Sequence, residues 1–133
     1  YQVLPLLKDM GWTEENGDIL NQVVLHLGRG EAGKNARTDI SLHPYGENKK
    51  NAKVLIEEKY WMRNEVEIRE AFEQGKSYAK QQLSMVCVVC DKTQIRVYLK
   101  QKDGDFSANK YQVFYWDEMS NPDRFNELKK LLS

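Results

Sequence analysis

Two carboxylates and a lysine are the residues of this sequence whose types and spacing could do chemistry together. Glu57 and Lys59 end a short apolar run, and Asp39 lies upstream in a second candidate strand. Alternate side chains of a β-strand share a face, so Glu57 and Lys59 should project together while Glu58 points away. If the two strands are neighbours, Asp39 and Glu57 can hold Mg²⁺, which usually takes one or two protein carboxylates. Lys59 could orient or deprotonate a metal-bound water, so the grouping predicts a metal-dependent phosphodiesterase.

The alternative interpretation of this grouping is an exposed ion pair on a strand surface. Such pairs are common and contribute little free energy, and short motifs of this kind also arise by chance. A one-residue shift of the strand register would exchange the roles of Glu57 and Glu58. In the predicted register, Glu58 can contribute at most its backbone carbonyl to a metal.

The elements that would position these residues follow an α/β order. Hydrophobic periodicity, turn residues and capping signals divide the chain into three helices and six strands. Helices are predicted at residues 2–10, 64–82 and 122–132, and strands at 19–27, 37–43, 53–60, 84–90, 94–100 and 110–116. The clearest helix is 64–82, because its apolar residues recur at spacings of three and four.

Two further motifs resemble known sites but lack their context. Cys87 and Cys90 form a C-x-x-C within a predicted buried strand, where positions three apart face opposite ways. We therefore expect two reduced core cysteines rather than a disulfide or zinc site. The segment 28–34 matches the GxxxxGK of a phosphate-binding loop, but a strand follows it instead of a helix. We expect an inter-strand loop there, with nucleotide binding as the alternative.

Composition and charge predict one globular domain over residues 1–133. Hydrophobic residues make up 41% of the chain, charged residues 30%, and the formal net charge is zero. This balance argues against a protein that only coats nucleic acid, but it is compatible with acidic metal ligands beside a local basic surface. The residues that could form that surface, or else a solvated mixed-charge face, are Lys49, Lys50, Lys53, Lys59, Arg63, Lys76 and Lys80.

Targeting signals are not evident in the sequence. No segment has the roughly 20 apolar residues of a membrane span or the pattern of a secretory signal. We therefore predict a cytoplasmic protein with no membrane partner. The chain begins at Tyr1 rather than methionine, so we expect a fragment of a longer protein.

The long predicted helix extends the pattern of the carboxylates and lysine. Gln74 and Tyr78 are one helical turn apart and share a face. The order Asp39, Glu57-x-Lys59, Gln74-x-x-x-Tyr78 resembles the nuclease pattern at the N-terminus of type I restriction enzyme R subunits. That family belongs to the PD-(D/E)xK nucleases and carries a QxxxY motif on the helix after the ExK strand. The likeness covers nearly the whole chain, including residues 9–12, the hairpin 88–98 and the closing helix 122–132.

The resemblance implies a restriction-endonuclease-like fold, a mixed sheet flanked by helices, and Mg²⁺-dependent cleavage of double-stranded DNA. Asp39 and Glu57 would ligate the metal and Lys59 would serve the attacking water. Gln74 and Tyr78 would complete the catalytic site. The residues expected to contact DNA are Arg37, two positions before Asp39, and Lys76.

The sequence departs from the family in two places. Thr38 replaces a proline often found before the aspartate. The family also often draws an acidic residue from its first helix, and that position would lie before Tyr1. ATP would act only through translocase domains absent from this chain. DNA sequence recognition would come from a separate specificity subunit, and a modification subunit would be a further partner. The alternative is a catalytically inactive DNA-binding or assembly domain with the same fold.

Overall fold

The computed structural model describes residues 3–21, 24–26, 35–37 and 39–133, and for 24–26 and 35–37 the description covers the backbone. The described elements comprise three α-helices and eight β-strands. The helices are α1 (Val3–Asp9), α2 (Glu65–Gln81) and α3 (Pro122–Leu132). The strands are β1 (Ile19–Asn21), β2 (Val24–His26), β3 (Asn35–Arg37), β4 (Ile40–Tyr45), β5 (Asn51–Glu58), β6 (Val86–Cys90), β7 (Gln94–Leu99) and β8 (Tyr111–Tyr115).

Six of these strands form one mixed sheet in the order β1-β4-β5-β6-β7-β8. The central pair, β5 and β6, is parallel, and all the other pairs are antiparallel. The crossover between the parallel strands runs through α2, as a parallel pair requires. β2 and β3 form a separate antiparallel pair. The predicted α/β class with a mixed sheet and flanking helices is confirmed.

Alternation along the strands gives the sheet two buried faces. Leu55, Cys87 and Val89 pack with the apolar side of α2. Ile56 and Val88, the intervening positions, pack with α1 and α3. Because both faces are covered, the central strands are almost continuously apolar, as is typical of parallel strands. Residues 54–57 of β5 are therefore buried, and a polar side chain among them lies in a dry environment.

Helix caps occur where the sequence places capping residues. Asn64 precedes α2 and its side chain accepts a hydrogen bond from the Glu67 backbone N–H. Asn121 precedes α3 and accepts from the N–H of Asp123, with Pro122 in the first helical position. These side chains satisfy N–H groups that have no partner within the helix.

Strand boundaries differ from the sequence predictions in the first half of the chain. The single strand predicted for 19–27 is two short strands, β1 and β2, that belong to different sheets. The strand predicted for 37–43 is also divided, because Asp39 lies in a bend before β4. β4 continues through Pro44 and Tyr45, beyond the end of the strand predicted for 37–43. β5 ends at Glu58, so Lys59 follows the strand instead of belonging to it.

The two cysteines are free and buried, as predicted. Cys87 packs on the α2 face of the sheet and Cys90 on the opposite face, so their thiols point apart. Burial raises the pKa of both thiols. Of the helices in the described ranges, none has the length and apolar character needed to cross a membrane.

Candidate active site

The candidate site forms where β5 ends against α2. Glu57 projects from the face of β5 that α2 covers. Gly75 of α2 permits this close approach, because a Cβ at this position would lie 3.1 Å from Cys87 Sγ and 3.5 Å from Glu57 Cβ. A larger residue would push the helix away from the sheet, since the sheet side chains there are buried. Gly75 therefore brings its neighbour Gln74 within reach of the residues after β5.

A continuous chain of polar contacts joins four of the predicted residues. Lys59 Nζ lies 3.1 Å from Glu57 Oε2 and donates to Gln74 Oε1 at 2.5 Å. Gln74 Nε2 in turn donates to Tyr78 Oη at 2.9 Å. Gln74 and Tyr78 are one helical turn apart, so both reach the same side of α2. The tyrosine holds the amide so that its oxygen faces the lysine.

Asp39 reaches the same place from the neighbouring strand. Ile40 pairs with Ile56 in the β4–β5 register, which sets Asp39 beside Glu57. Asp39 Oδ2 accepts a hydrogen bond from the Glu58 backbone N–H at 2.6 Å. The prediction that Asp39 belongs to the strand is wrong, but the bend still presents its carboxylate to the end of β5.

The electrostatics of Glu57 are those of a buried carboxylate with too few donors. Glu57 is 2% exposed. Burial and the charge of Asp39 raise the pKa of Glu57 to about 7, against the opposing effect of Lys59. Burial, followed by the charge of Asp39, also raises the pKa of Glu58. Glu57 Oε1 is buried and has no hydrogen-bond partner among the residues that the structure describes. Two ionised carboxylates cannot donate to each other, so a proton or a cation stabilises this pair.

The donor set fits a hard cation with few protein ligands. Across the described ranges, no group of three or more histidine, cysteine, aspartate or glutamate side chains could hold a metal ion. Mg²⁺, however, commonly binds through one or two carboxylates and fills its shell with water and substrate phosphate. Asp39 and Glu57 supply two carboxylates, and the unpartnered Glu57 Oε1 supplies a free acceptor. These two residues are therefore the ones that could hold Mg²⁺.

Of the two residues expected to contact DNA, only Lys76 has a described side chain, and among the described residues it is not joined to this chain of contacts. The backbone of Arg37 belongs to β3, and its side chain lies outside the described residues. Lys76 pairs with Asp105 at 3.4 Å and stacks over the Phe72 ring at 5.8 Å, which directs it toward the turn between β7 and β8. The loop 28–34 also lies outside the described residues.

A second buried carboxylate, Asp91, was not recognised from the sequence as part of this region. It follows β6, is 3% exposed, and accepts from the backbone N–H groups of Met62, Thr93 and Gln94. Burial raises its pKa, but these hydrogen bonds outweigh burial and hold the pKa of Asp91 below its usual value. The signal that could have identified it is the aspartate at the start of the turn between two strands.

The segment after Lys59 also contains a feature that the sequence interpretation passed over. Tyr60 and Trp61 are consecutive and exposed, and they border a cleft of about 460 Å³ that Lys59 and Gln74 also line. Two neighbouring aromatic residues directly after the Glu-x-Lys motif were a visible signal.

Comparison with protein-family models, curated protein sequences and solved structures finds no significant match to this chain. The resemblance to type I restriction R subunits therefore stays a prediction made from the order of the motif residues. The geometry at the end of β5 is what supports a function.

Proposed function

We propose that this chain is a Mg²⁺-dependent DNA endonuclease domain that hydrolyses phosphodiester bonds in double-stranded DNA. In this proposal the mixed sheet and its helices are a restriction-endonuclease-like fold, and the chain is the nuclease domain of a type I restriction R subunit. The observation that carries the proposal is the position of Lys59, which contacts both Glu57 and Gln74 beside Asp39. An exposed surface ion pair would not have a buried, under-satisfied carboxylate at its centre.

The two carboxylates and the lysine have different roles in the proposed mechanism. Asp39 and Glu57 would hold Mg²⁺ through Glu57 Oε1 and the Asp39 carboxylate. The bound ion would supply Lewis acidity toward a phosphate oxygen and lower the pKa of a coordinated water. Lys59 has three N–H donors, and two of them are directed at Glu57 and Gln74. The third remains for a phosphate or water oxygen, where an ammonium stabilises developing negative charge.

Gln74 and Tyr78 are positioning residues in this mechanism. The Gln74 amide holds the Lys59 amine beside Glu57, and the Tyr78 hydroxyl fixes the orientation of that amide. Removing the tyrosine hydroxyl would free the amide to rotate. We expect a smaller loss of activity from Tyr78→Phe than from Lys59→Ala.

The partners proposed for this function are double-stranded DNA and the modification and specificity subunits of a restriction complex in the cytoplasm. ATP would enter only through translocase domains outside this chain. The described basic residues near the site are few, so stable DNA binding would draw on those partners.

Nicking of supercoiled plasmid in Mg²⁺ or Mn²⁺ tests the proposal. Lys59→Ala should reduce nicking at least about 100-fold, because it removes the cation beside the scissile phosphate. The matched control is Lys130→Ala, which removes an exposed lysine in the last turn of α3. Equal nicking by the wild-type chain and Lys59→Ala would overturn the assigned mechanism.

One observation favours a second candidate, a non-catalytic DNA-binding or assembly domain. The described residues offer two carboxylates at the site and no larger cluster of metal ligands. This candidate predicts salt-sensitive DNA binding without cleavage and no heat of Mn²⁺ binding in calorimetry. Mn²⁺ binding that Glu57→Gln abolishes would exclude it.

A further inference from the structure

The loop between β5 and α2 presents two aromatic rings to solvent. Tyr60 is 75% exposed and Trp61 is 48% exposed. The next residue, Met62, is buried and its backbone N–H donates to Asp91 Oδ2 at 2.7 Å. The loop is therefore anchored in the core at Met62, while the two rings before it stay outside. Exposed large aromatic residues that are held in place are typical of binding surfaces.

A lysine from a second loop packs over both rings. Lys92 Nζ lies 5.1 Å from the centroid of the Tyr60 ring and 4.3 Å from that of Trp61. Both distances are within the range of a cation–π interaction. Lys92 follows Asp91, whose carboxylate also accepts from the Thr93 N–H. Asp91 thus ties the two loops together, and the rings and the ammonium form a preorganised surface, which we call the stacking platform (Tyr60, Trp61 and Lys92).

The stacking platform borders the candidate active site. The cleft of about 460 Å³ beside it is lined by Lys59 and Gln74 as well as by Tyr60 and Trp61. The α2 side of the cleft is acidic through Glu67 and Glu70. Glu67 pairs with Arg63 at 2.8 Å, so the two charges offset each other, and Glu70 accounts for the acidic character of that side. A polyanion entering the cleft would therefore follow the platform side, toward Lys92 and Lys59.

We propose that the stacking platform binds an unpaired nucleotide of the DNA strand adjacent to Lys59, so that the preferred sites within double-stranded DNA are gapped or locally opened. The proposal rests on the proposed nuclease function for the identity of the strand. An exposed π-face stacks on any base, and the nearby ammonium attracts the phosphate of the same nucleotide. A base inside an intact duplex has both faces covered by its neighbours, so it must leave the stack to reach the rings. A purely apolar protein partner has no negative charge that could interact with Lys92, so the charge of the platform favours a nucleotide over such a partner.

Two probes of equal length separate base stacking from charge attraction. One is a fluorescein-labelled oligothymidylate of about ten nucleotides. The other is the same sugar–phosphate chain with abasic sites in place of every base. Anisotropy titrations in EDTA exclude cleavage. The wild-type chain should bind the oligothymidylate about tenfold more tightly than the abasic chain, because stacking requires a base.

Substitutions assign this preference to the platform. Trp61→Ala should remove the preference, and Trp61→Phe should keep most of it because a phenyl ring also offers a π-face. Tyr45→Ala is the matched control, since Tyr45 is exposed but lies on β4 opposite Asn51, at the other end of β5. A wild-type chain that binds both probes equally, or a Trp61→Ala variant that keeps the preference, overturns the proposal.

Failure of the platform and failure of the nuclease are distinguishable. Base-dependent binding without plasmid nicking would leave the platform as a DNA-binding surface and remove the proposed nuclease. Lys59-dependent nicking with no base preference would leave the nuclease and remove the platform. Support for both requires a gapped duplex to be cut faster than an intact one, with the difference lost in Trp61→Ala.

Discussion

Glu57 and Asp91 are buried carboxylates near the ends of neighbouring parallel strands, yet their surroundings are opposite. Asp91 has partners on both oxygens: Oδ1 accepts from Thr93 and Gln94, and Oδ2 accepts from Met62. Within the described part of the chain, Glu57 has an ion pair on Oε2 and no partner on Oε1. The two residues are 2% and 3% exposed, so burial alone does not separate them.

The number of donors decides what each carboxylate does. Donors stabilise the ionised form, so the pKa of Asp91 is held low despite burial. Glu57 lacks that compensation and faces the charge of Asp39, so its pKa rises to about 7. A buried carboxylate whose oxygens all accept hydrogen bonds stabilises the structure around it. A buried carboxylate beside a cleft that lacks such donors is a candidate functional group. The comparison therefore assigns Asp91 to holding loops and Glu57 to binding a cation.

The largest expected effect is the loss of stability in Asp91→Ala. This change leaves the N–H of Met62 without its acceptor in a buried position and also removes the acceptor of Thr93 and Gln94. We expect the free energy of unfolding in urea to fall by about 4 kcal/mol. Asp91→Asn is the matched control and should lose about half as much, because its carbonyl oxygen can still accept. A loss below about 1 kcal/mol in Asp91→Ala would contradict the structural assignment.

A second test uses opposite pH dependences in the absence of metal. The pKa of Glu57 is raised from 4.5 to about 7 on folding, so the folded state binds this proton more tightly than the unfolded state. The contribution of this proton to the free energy of unfolding is fully present below pH 4.5 and is lost as the pH rises to about 7. Its size is on the order of 3 kcal/mol. Glu57→Gln should remove this decline in urea denaturation curves measured in EDTA.

Asp91 should give the reverse slope. Its folded pKa is lowered from 3.8, so its contribution is present above that pH and is lost as the pH falls further. Comparing each variant with the wild-type chain isolates its carboxylate from other groups that titrate nearby. Identical slopes for the wild-type chain and Glu57→Gln between pH 4.5 and 7 would show that the environment of Glu57 is not as described.

The sequence predicts the elements better than their boundaries. The stripe of α2 and the caps Asn64 and Asn121 are local signals, and those helices form as expected. The division of 19–27 into two strands and the bend at Asp39 depend on pairing between β1 and β4, which are distant in sequence. Such pairing is set by tertiary packing and leaves little trace in local periodicity.

The candidate site shows the same division. Helical spacing predicts that Gln74 and Tyr78 share a face, and strand parity predicts that Glu57 and Lys59 lie together, although Lys59 follows the strand. The meeting of these two pairs is expected only from the resemblance to the nuclease pattern, because it depends on how α2 packs on the sheet. Whether Glu57 Oε1 finds a donor is a tertiary property, and so is the satisfaction of Asp91 by Met62 from another loop. Composition and spacing do not indicate either.

Binding of Mn²⁺ should stabilise the chain through Glu57 and not through Asp91, with an effect of intermediate size. At a Mn²⁺ concentration about ten times its Kd, the wild-type chain should gain about 1.4 kcal/mol of stability, seen as a rise in Tm. Glu57→Gln should gain nothing, because it removes a ligand charge. Asp91→Asn should have a lower Tm without metal, and Mn²⁺ should raise that Tm by as much as it raises the Tm of the wild-type chain. Loss of the gain in Asp91→Asn but not in Glu57→Gln would reverse the two assignments.

Substitution of Gly75, where α2 packs closely against Glu57, should change stability the least. In Gly75→Ala, the new Cβ would meet Cys87 Sγ at 3.1 Å and Val89 Cγ2 at 3.4 Å, and both side chains are buried in the sheet. Alanine favours a helix by up to about 1 kcal/mol over glycine, but these contacts resist relaxation. We expect a net loss of about 1 kcal/mol in urea denaturation. The shift of α2 should separate Gln74 from Lys59 and lower plasmid nicking. The backbone N–H of Met62, which donates to Asp91, should keep its protection from hydrogen exchange. Loss of that protection would mean that the surroundings of Glu57 and Asp91 are not independent.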